Sequence, residues 1–345
     1  MNLEIFLKKY LIDEMPNKKN EISDNIQKSL QRLLSKKTGK NSYSWYAIGL
    51  DMASKEGNCG LCVLGLNKTL DKATILDLYP RPKINNDFNL AKKNLERPTN
   101  SILKNLLKSK KDTNCPLAMG VDVQFGWPIG FSEFVKDWKA SEGRENTFET
   151  DSFIYRLTDE KISNLTGNNV LSVSSDKIAR CAFAWAKTRK YLQNEDINFF
   201  IDLGLDHGVS KKNKLPSFFE CYPGAFIKHL YGEFDGYKSD IEKRKLLLKK
   251  LLEKYNIKKD KSNFLWLIWS LYQGKKTKDG GVGGGGSCDA FDSFLWALNA
   301  WEYLKWVNNP TGAPITTPGK LLGMSVNNLD IEKIKKEGWI LIPTR

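Results

Sequence analysis

Between residues 45 and 80 the chain places three short apolar runs one after another at hairpin spacing, and the first of them ends in a carboxylate. Trp45 to Leu50 (WYAIGL) is followed at once by Asp51; CGLCVLGL then starts at Cys59 and ATILDLYP at Ala73. Runs this short and this apolar, bounded by turn residues, predict buried strands. A fourth run, PLAMGVDVQFGWP, ends near Asp122. Between the third and fourth runs, the leucines from Asn89 to Lys108 space as two short helices, or a helix and a loop, broken at Pro98. Later, helical patterns at Asp176 to Leu192, Ser239 to Tyr255, Phe264 to Tyr272 and Asp289 to Val307 alternate with strand candidates at Asn198 to Leu203 and Ser217 to Glu220. The chain ends on EGWILIP, an apolar strand or edge segment. Strands in hairpin order, then strands alternating with helices, predict an α/β fold: a mixed β-sheet flanked by helices.

Residues 1–44 read differently from residues 45–345. Leu3, Phe6, Leu7 and Leu11 form one apolar helix face that Pro16 ends. Ile22, Ile26, Leu30, Leu33 and Leu34 form a second, and that helix also carries Lys28, Arg32, Lys36 and Lys37. This N-terminal helical arm has three roles open to it: packing on the main domain, binding a protein partner or another copy of the chain, and touching nucleic acid. The longest apolar runs, such as Phe264 to Ile268, are far too short to span a bilayer, so no membrane partner is expected. The first residues carry no apolar stretch ahead of a small-residue cleavage site, and the expected location is the cytoplasm.

The formal net charge is +14, a balance that favours a polyanionic partner, with nucleic acid the usual one. A lysine-rich surface that merely reflects composition is the plainer reading of the same number. The six cysteines are scattered, and reduced thiols are expected. Cys59 and Cys62 form a CxxC with no second pair, so a turn entering a buried strand explains them better than a zinc site. The loop DGGVGGGGS lacks the Gly-Lys-Ser/Thr ending of a phosphate-binding loop. His207 and His229, the two histidines, sit beside no nucleophile signature; a loop hydrogen bond and a helix face account for them.

The acids are more informative. Asp51 follows AIGL, Asp122 follows MGV, Glu220 follows SFF, and Asp289 and Asp292 open a helix. A carboxylate at the end of a buried strand is costly unless something neutralises it, and several together repel one another. A divalent cation with a preference for oxygen ligands, Mg²⁺ or Mn²⁺, removes that penalty. In α/β sheets, sites assemble at the carboxyl ends of strands. Taken singly, each acid has a plainer explanation: a turn residue for Asp51, a loop-orienting acid for Asp122, helix caps for Asp289 and Asp292.

The segments IGLDMA, GVDVQFGWP, YRLTD, ECYPGA, GYK, DAFDSFLWALNA and the terminal EGWILIP occur in the order found in the domain-of-unknown-function 429 family, which residues 45–345 resemble. That family is regarded as predicted nucleases of the RNase H-like fold. DAFDSFLWALNA also resembles the closing helix of Holliday-junction resolvases, where a DxxD pair completes the metal site. The resemblance implies Asp51 on the first strand, Asp122 on the fourth, Glu220 on the fifth and Asp289 with Asp292 on the last helix as metal ligands. It implies Arg156, Asp159 and Lys238 as substrate-facing residues. The activity so implied is a metal-dependent nuclease acting on DNA or RNA. Two cations about 4 Å apart would be held by Asp51, by Asp122 or Glu220, and by Asp292 with Asp289. A binding module of the same fold without turnover, and a phosphotransferase, are the alternatives.

Overall fold

The computed structural model describes residues 43–82, 95–96, 98–111, 115–136, 154–167, 176–205, 215–258, 262–271, 289–311, 315–322 and 327–344. The expected N-terminal helices, His207, the loop 279–287 and Cys288 lie outside the described residues.

The three hairpin-spaced runs form strands β1 (Trp45–Asp51), β2 (Gly60–Leu66) and β3 (Lys72–Tyr79), paired antiparallel in sequence order. The two-residue strands β4 (Arg81–Pro82) and β5 (Leu95–Glu96) pair only with each other. Strands β6 (Leu117–Asp122), β7 (Phe200–Ile201) and β8 (Ser217–Glu220) then extend the main sheet from β1, all parallel to it. Strand β9 (Asn256–Lys258) adds to the far edge, parallel to β3. The result is an α/β architecture around a mixed seven-stranded sheet, in the order β7-β8-β6-β1-β2-β3-β9.

Alternation along each strand divides the core into two layers. In β1, Ala47 faces one layer while Tyr46, Ile48 and Leu50 face the other. The second layer is closed by α1 (Asn100–Lys111) and α4 (Asp176–Asn194), whose Leu103, Leu107, Ala182, Trp185 and Leu192 pack there. Two short helices, α2 (Ile129–Val135) and α3 (Leu157–Thr166), lie between them in sequence. The first layer takes α5 (Pro223–Leu230), α6 (Ile241–Lys254), α7 (Ser262–Ser270) and α8 (Asp289–Asn308). Two last helices, α9 (Pro318–Leu322) and α10 (Asn328–Glu337), follow. Helix α6 starts where its sequence allows: the Asp240 carboxylate accepts from the amides of Glu242 and Lys243, as an N-cap should.

Helix α8 is buried on nearly all sides, which fits the apolar residues it carries all round between its few polar ones. It lies directly on β1, β2 and β6. Two glycines permit that approach. A Cβ on Gly49 of β1 would stand 2.0 Å from the Ser293 carbonyl oxygen, and one on Gly60 of β2 would stand 2.2 Å from the Asp289 carbonyl oxygen. Both partners are backbone, so no side-chain movement makes room.

The sequence expectations need three adjustments here. EGWILIP forms no named strand; it runs buried beside the sheet with single bridges, Glu220 to Ile340 and Ile315 to Pro343. Glu220 stands on the sixth strand of the main sheet in chain order, because the two-residue edge strand β7 precedes it. The stretch expected from Asn89 yields a described helix only from Asn100, past Pro98. Among the described residues no helix is long and apolar enough to cross a membrane.

Candidate functional site

Parallel pairing of β1 with β6 brings Asp51 opposite Asp122 at the carboxyl ends of the two central strands. Asp51 shares its parity with Ala47, and Asp122 shares its parity with Ala118; both alanines face the layer that holds α8. The first turn of α8 carries Asp289 and Asp292, each almost fully buried. Gly49 and Gly60 therefore set the site as much as the acids do, since they let the start of α8 sit against the ends of β1 and β2.

The acids at this end of the sheet lie close enough to act on one another. Burial, then the carboxylates of Asp292, Asp122 and Asp289, push Asp51 well above the usual carboxylate range, with Lys238 working against them. Asp122 is pushed up to about 7 by burial; Lys238 pulls it down while Asp292 and Glu220 push it further up. Asp51 and Asp122 keep part of their surface in solvent, so the cluster opens outward.

Both oxygens of Asp292 are engaged. Tyr237 donates its hydroxyl to Oδ1 at 2.8 Å, and Lys238 donates Nζ to Oδ2 at 2.7 Å. Burial disfavours the Lys238 ammonium, but Asp292, Tyr237, Asp122 and Asp51 outweigh it and hold its pKa well above the ordinary lysine value. Lys238 is thus the cation the described structure sets against the acids. Among the described residues, no three or more His, Cys, Asp or Glu side chains are grouped to hold a metal ion as they stand. The donor set nonetheless fits a hard divalent cation: Asp51, Asp122 and Asp292 offer only oxygens, and their mutual repulsion is what such an ion relieves.

Glu220, expected as a ligand, is close enough to act on Asp122 but lies on the other face of its strand and is held by Arg156. It shares its parity with Phe218, which packs in the α4 layer, so its strand position directs it away from α8. Its Oε1 accepts from Arg156 Nη2 at 2.6 Å; its Oε2 accepts from Arg156 Nη1 at 2.8 Å and from the Phe125 amide at 3.0 Å.

Arg156 and Asp159, expected to be substrate-facing, are 0% and 1% exposed and bind each other. Asp159 accepts from Arg156 Nε at 3.0 Å and Nη2 at 2.7 Å, and the Glu337 carbonyl accepts from Nη1 at 2.9 Å. All five guanidinium N–H groups are thereby used. Burial alone would lower the Arg156 pKa, but Asp159 and Glu220 raise it above the ordinary arginine value. The Glu337 carboxylate completes the knot, accepting the amides of Ile129 and Leu157 at 2.8 Å each. This network ties the starts of α2 and α3 and the end of α10 to the end of β8.

Of the residues expected at the site, the structure brings together Asp51, Asp122, Asp289, Asp292 and Lys238. The sequence reading missed Tyr237 and Arg244. Tyr237 lies inside the GYK segment already singled out. Arg244 occupies a core-facing position of α6, three residues after Ile241 and four before Leu248, where an arginine is out of place unless it is used. It donates to the carbonyls of Tyr237, Lys238 and Leu271 at 3.0, 2.9 and 2.8 Å. The described cysteines are free thiols; Cys59 and Cys62 line buried β2 and its entry, as their spacing suggested.

No family model, no curated protein and no solved structure matches the chain. The meaning of the site therefore rests on its own geometry.

Proposed function

We propose that the chain is a divalent-cation-dependent nuclease of RNase H-like fold that hydrolyses phosphodiester bonds in nucleic acid. One observation carries the reading: Asp51 and Asp122 stand opposite each other at the ends of adjacent parallel strands, with Asp292 of a buried helix in the same electrostatic neighbourhood. That is the arrangement implied by the resemblance to the predicted nucleases. The sequence charge of +14 fits a polyanionic substrate.

Asp51 and Asp122 would hold the Mg²⁺ or Mn²⁺, with Asp292 beside them. When bound, the ion supplies positive charge that polarises a phosphoryl oxygen. Asp51 and Asp122 sit on the two central strands, a rigid base that fixes the substrate phosphate relative to the attacking water. The reaction adds one water across one P–O bond: its oxygen bonds to phosphorus, the departing sugar oxygen gains a proton, and a phosphate monoester remains.

The test is cleavage of single- and double-stranded DNA, RNA and hybrid in Mg²⁺ or Mn²⁺. Wild type should cut at least one of them, and Asp51→Asn should lose at least about 10²-fold in rate. Equal behaviour of the two proteins on every substrate, including binding without cleavage, would sink the proposal.

A further inference from the structure

We propose that Lys238 is a built-in cation of the site: its ammonium neutralises Asp292 and contacts the scissile phosphate, so that the chain takes up one divalent ion where two were expected. The inference rests on the nuclease reading above and concerns how that reaction is served.

Charge accounting leads to it. Glu220, the acid that would have anchored a second ion, is bound on both oxygens by Arg156. Asp292, the remaining bridge between the strand-end acids and α8, already has one oxygen on Lys238 Nζ and the other on the Tyr237 hydroxyl. Asp289, at the start of α8, is buried, so the acids left facing the opening are the partly exposed Asp51 and Asp122, and the place beside Asp292 where a second ion would sit is taken by the Lys238 ammonium.

Placement supports it. The Lys238 side chain is 53% exposed while its partner Asp292 is 5% exposed, so the ammonium stands between the buried acid and the solvent from which a phosphate would arrive. The segment that carries it is held from behind. Arg244, fully buried, spends its guanidinium on the carbonyls of Tyr237, Lys238 and Leu271. The Tyr237 ring packs edge-on against Phe291 of α8, with centroids 5.9 Å apart. A surface lysine that merely met an acid needs no such backing. An ammonium that must hold its place against a reacting phosphate does. Arg244 acts through Lys238 and is a positioning residue.

Calorimetry with Mn²⁺ on the full chain, wild type beside Lys238→Gln and Lys238→Arg, tests it together with cleavage kinetics. The wild type should bind one ion per chain. Removing the positive charge should tighten Mn²⁺ binding in Lys238→Gln by about tenfold or more. The same variant should lose about 10²-fold in kcat with a smaller change in KM, and Lys238→Arg should recover much of that loss. Two ions per wild-type chain would overturn the inference without needing any variant. So would a Lys238→Gln protein that cleaves as fast as wild type, because the lysine would then only be holding a place that the ion takes. Both outcomes leave the nuclease reading standing. That reading fails separately, through Asp51→Asn matching wild type.

Discussion

Arg156 is fully buried with two carboxylates and one carbonyl around it, and every N–H it carries is accepted. Removing one member of such a knot strands the others. Arg156→Ala should lose about 3–5 kcal/mol of stability. Adding Asp159→Asn and Glu220→Gln should recover part of it, measured as chemical unfolding midpoints of the single and triple variants. A triple variant less stable than Arg156→Ala would contradict the assignment. At the site itself, the sign of the pH dependence follows from Asp122. Its folded value is about 7 against an ordinary 3.8, so between those values the folded chain holds a proton that the unfolded chain has released. Its contribution makes stability fall as pH rises through that window and level off above it. In chelator, Asp122→Asn should flatten that fall between pH 5 and pH 8 and raise Tm at pH 8 on the order of 2–4 °C. Parallel pH profiles for the two proteins would show that Asp122 is not the strained acid. Much at this scale was legible in the sequence: strand-end acids and a helix-start DxxD pair give Asp51, Asp122 and Asp292. The pairing of Glu220 with Arg156 was not legible, because the strand end was weighed and its parity with Phe218 was not. The burial of Arg156 and Asp159 was not legible, because nothing in a sequence shows that an i,i+3 ion pair is covered on all sides.

At the scale of elements, α8 and the glycines beneath it decide whether the acids meet. Gly49 faces backbone atoms of α8 at 2.0 and 2.3 Å from where its Cβ would be, whereas nothing lies within 4 Å of the Cβ position of Gly57. Gly49→Ala should therefore cost about 1–3 kcal/mol or more, while Gly57→Ala should stay within about 0.5 kcal/mol of wild type. Because the helix must lift, Gly49→Ala should also weaken Mn²⁺ binding. Thermal unfolding with and without Mn²⁺ reads both effects, and a silent Gly49→Ala would mean that α8 does not lie where described. The strands β1, β2, β3 and β6 and the helices α4, α6, α7 and α8 were readable because periodic apolar residues mark them. Strand β9, helix α10 and the short helices α2 and α3 were not. β9 and α2 are too brief to carry a period, α3 and α10 each bury a single large apolar residue, Ile162 and Ile334, and tertiary contacts hold the short helices: the Glu337 carboxylate fixes the starts of α2 and α3 from 208 and 180 positions away.

For the molecule as a whole, the two-layer architecture explains why one end of the sheet is the place for chemistry. Strands β1 and β6 run parallel, so their carboxyl ends open on the same side, and the crossing helix α8 starts there. The hairpin-then-alternation order in the sequence was enough to foresee a mixed α/β sheet. It was not enough to foresee that the segment Trp339–Ile342 would be buried beside β8 with its Leu341 amide on the Glu220 carbonyl, because that contact joins residues far apart in the sequence. The central claim is that this one sheet end gathers Asp51, Asp122 and Asp292 into a cation site. Anomalous diffraction from a Mn²⁺-soaked crystal measures it directly. A single strong peak within about 2.0–2.3 Å of oxygens from Asp51 and Asp122, beside the Asp292–Lys238 pair, is the result expected for a hard divalent ion bound there. A crystal saturated with Mn²⁺ that shows no peak at that sheet end, or shows one only elsewhere on the molecule, would contradict it.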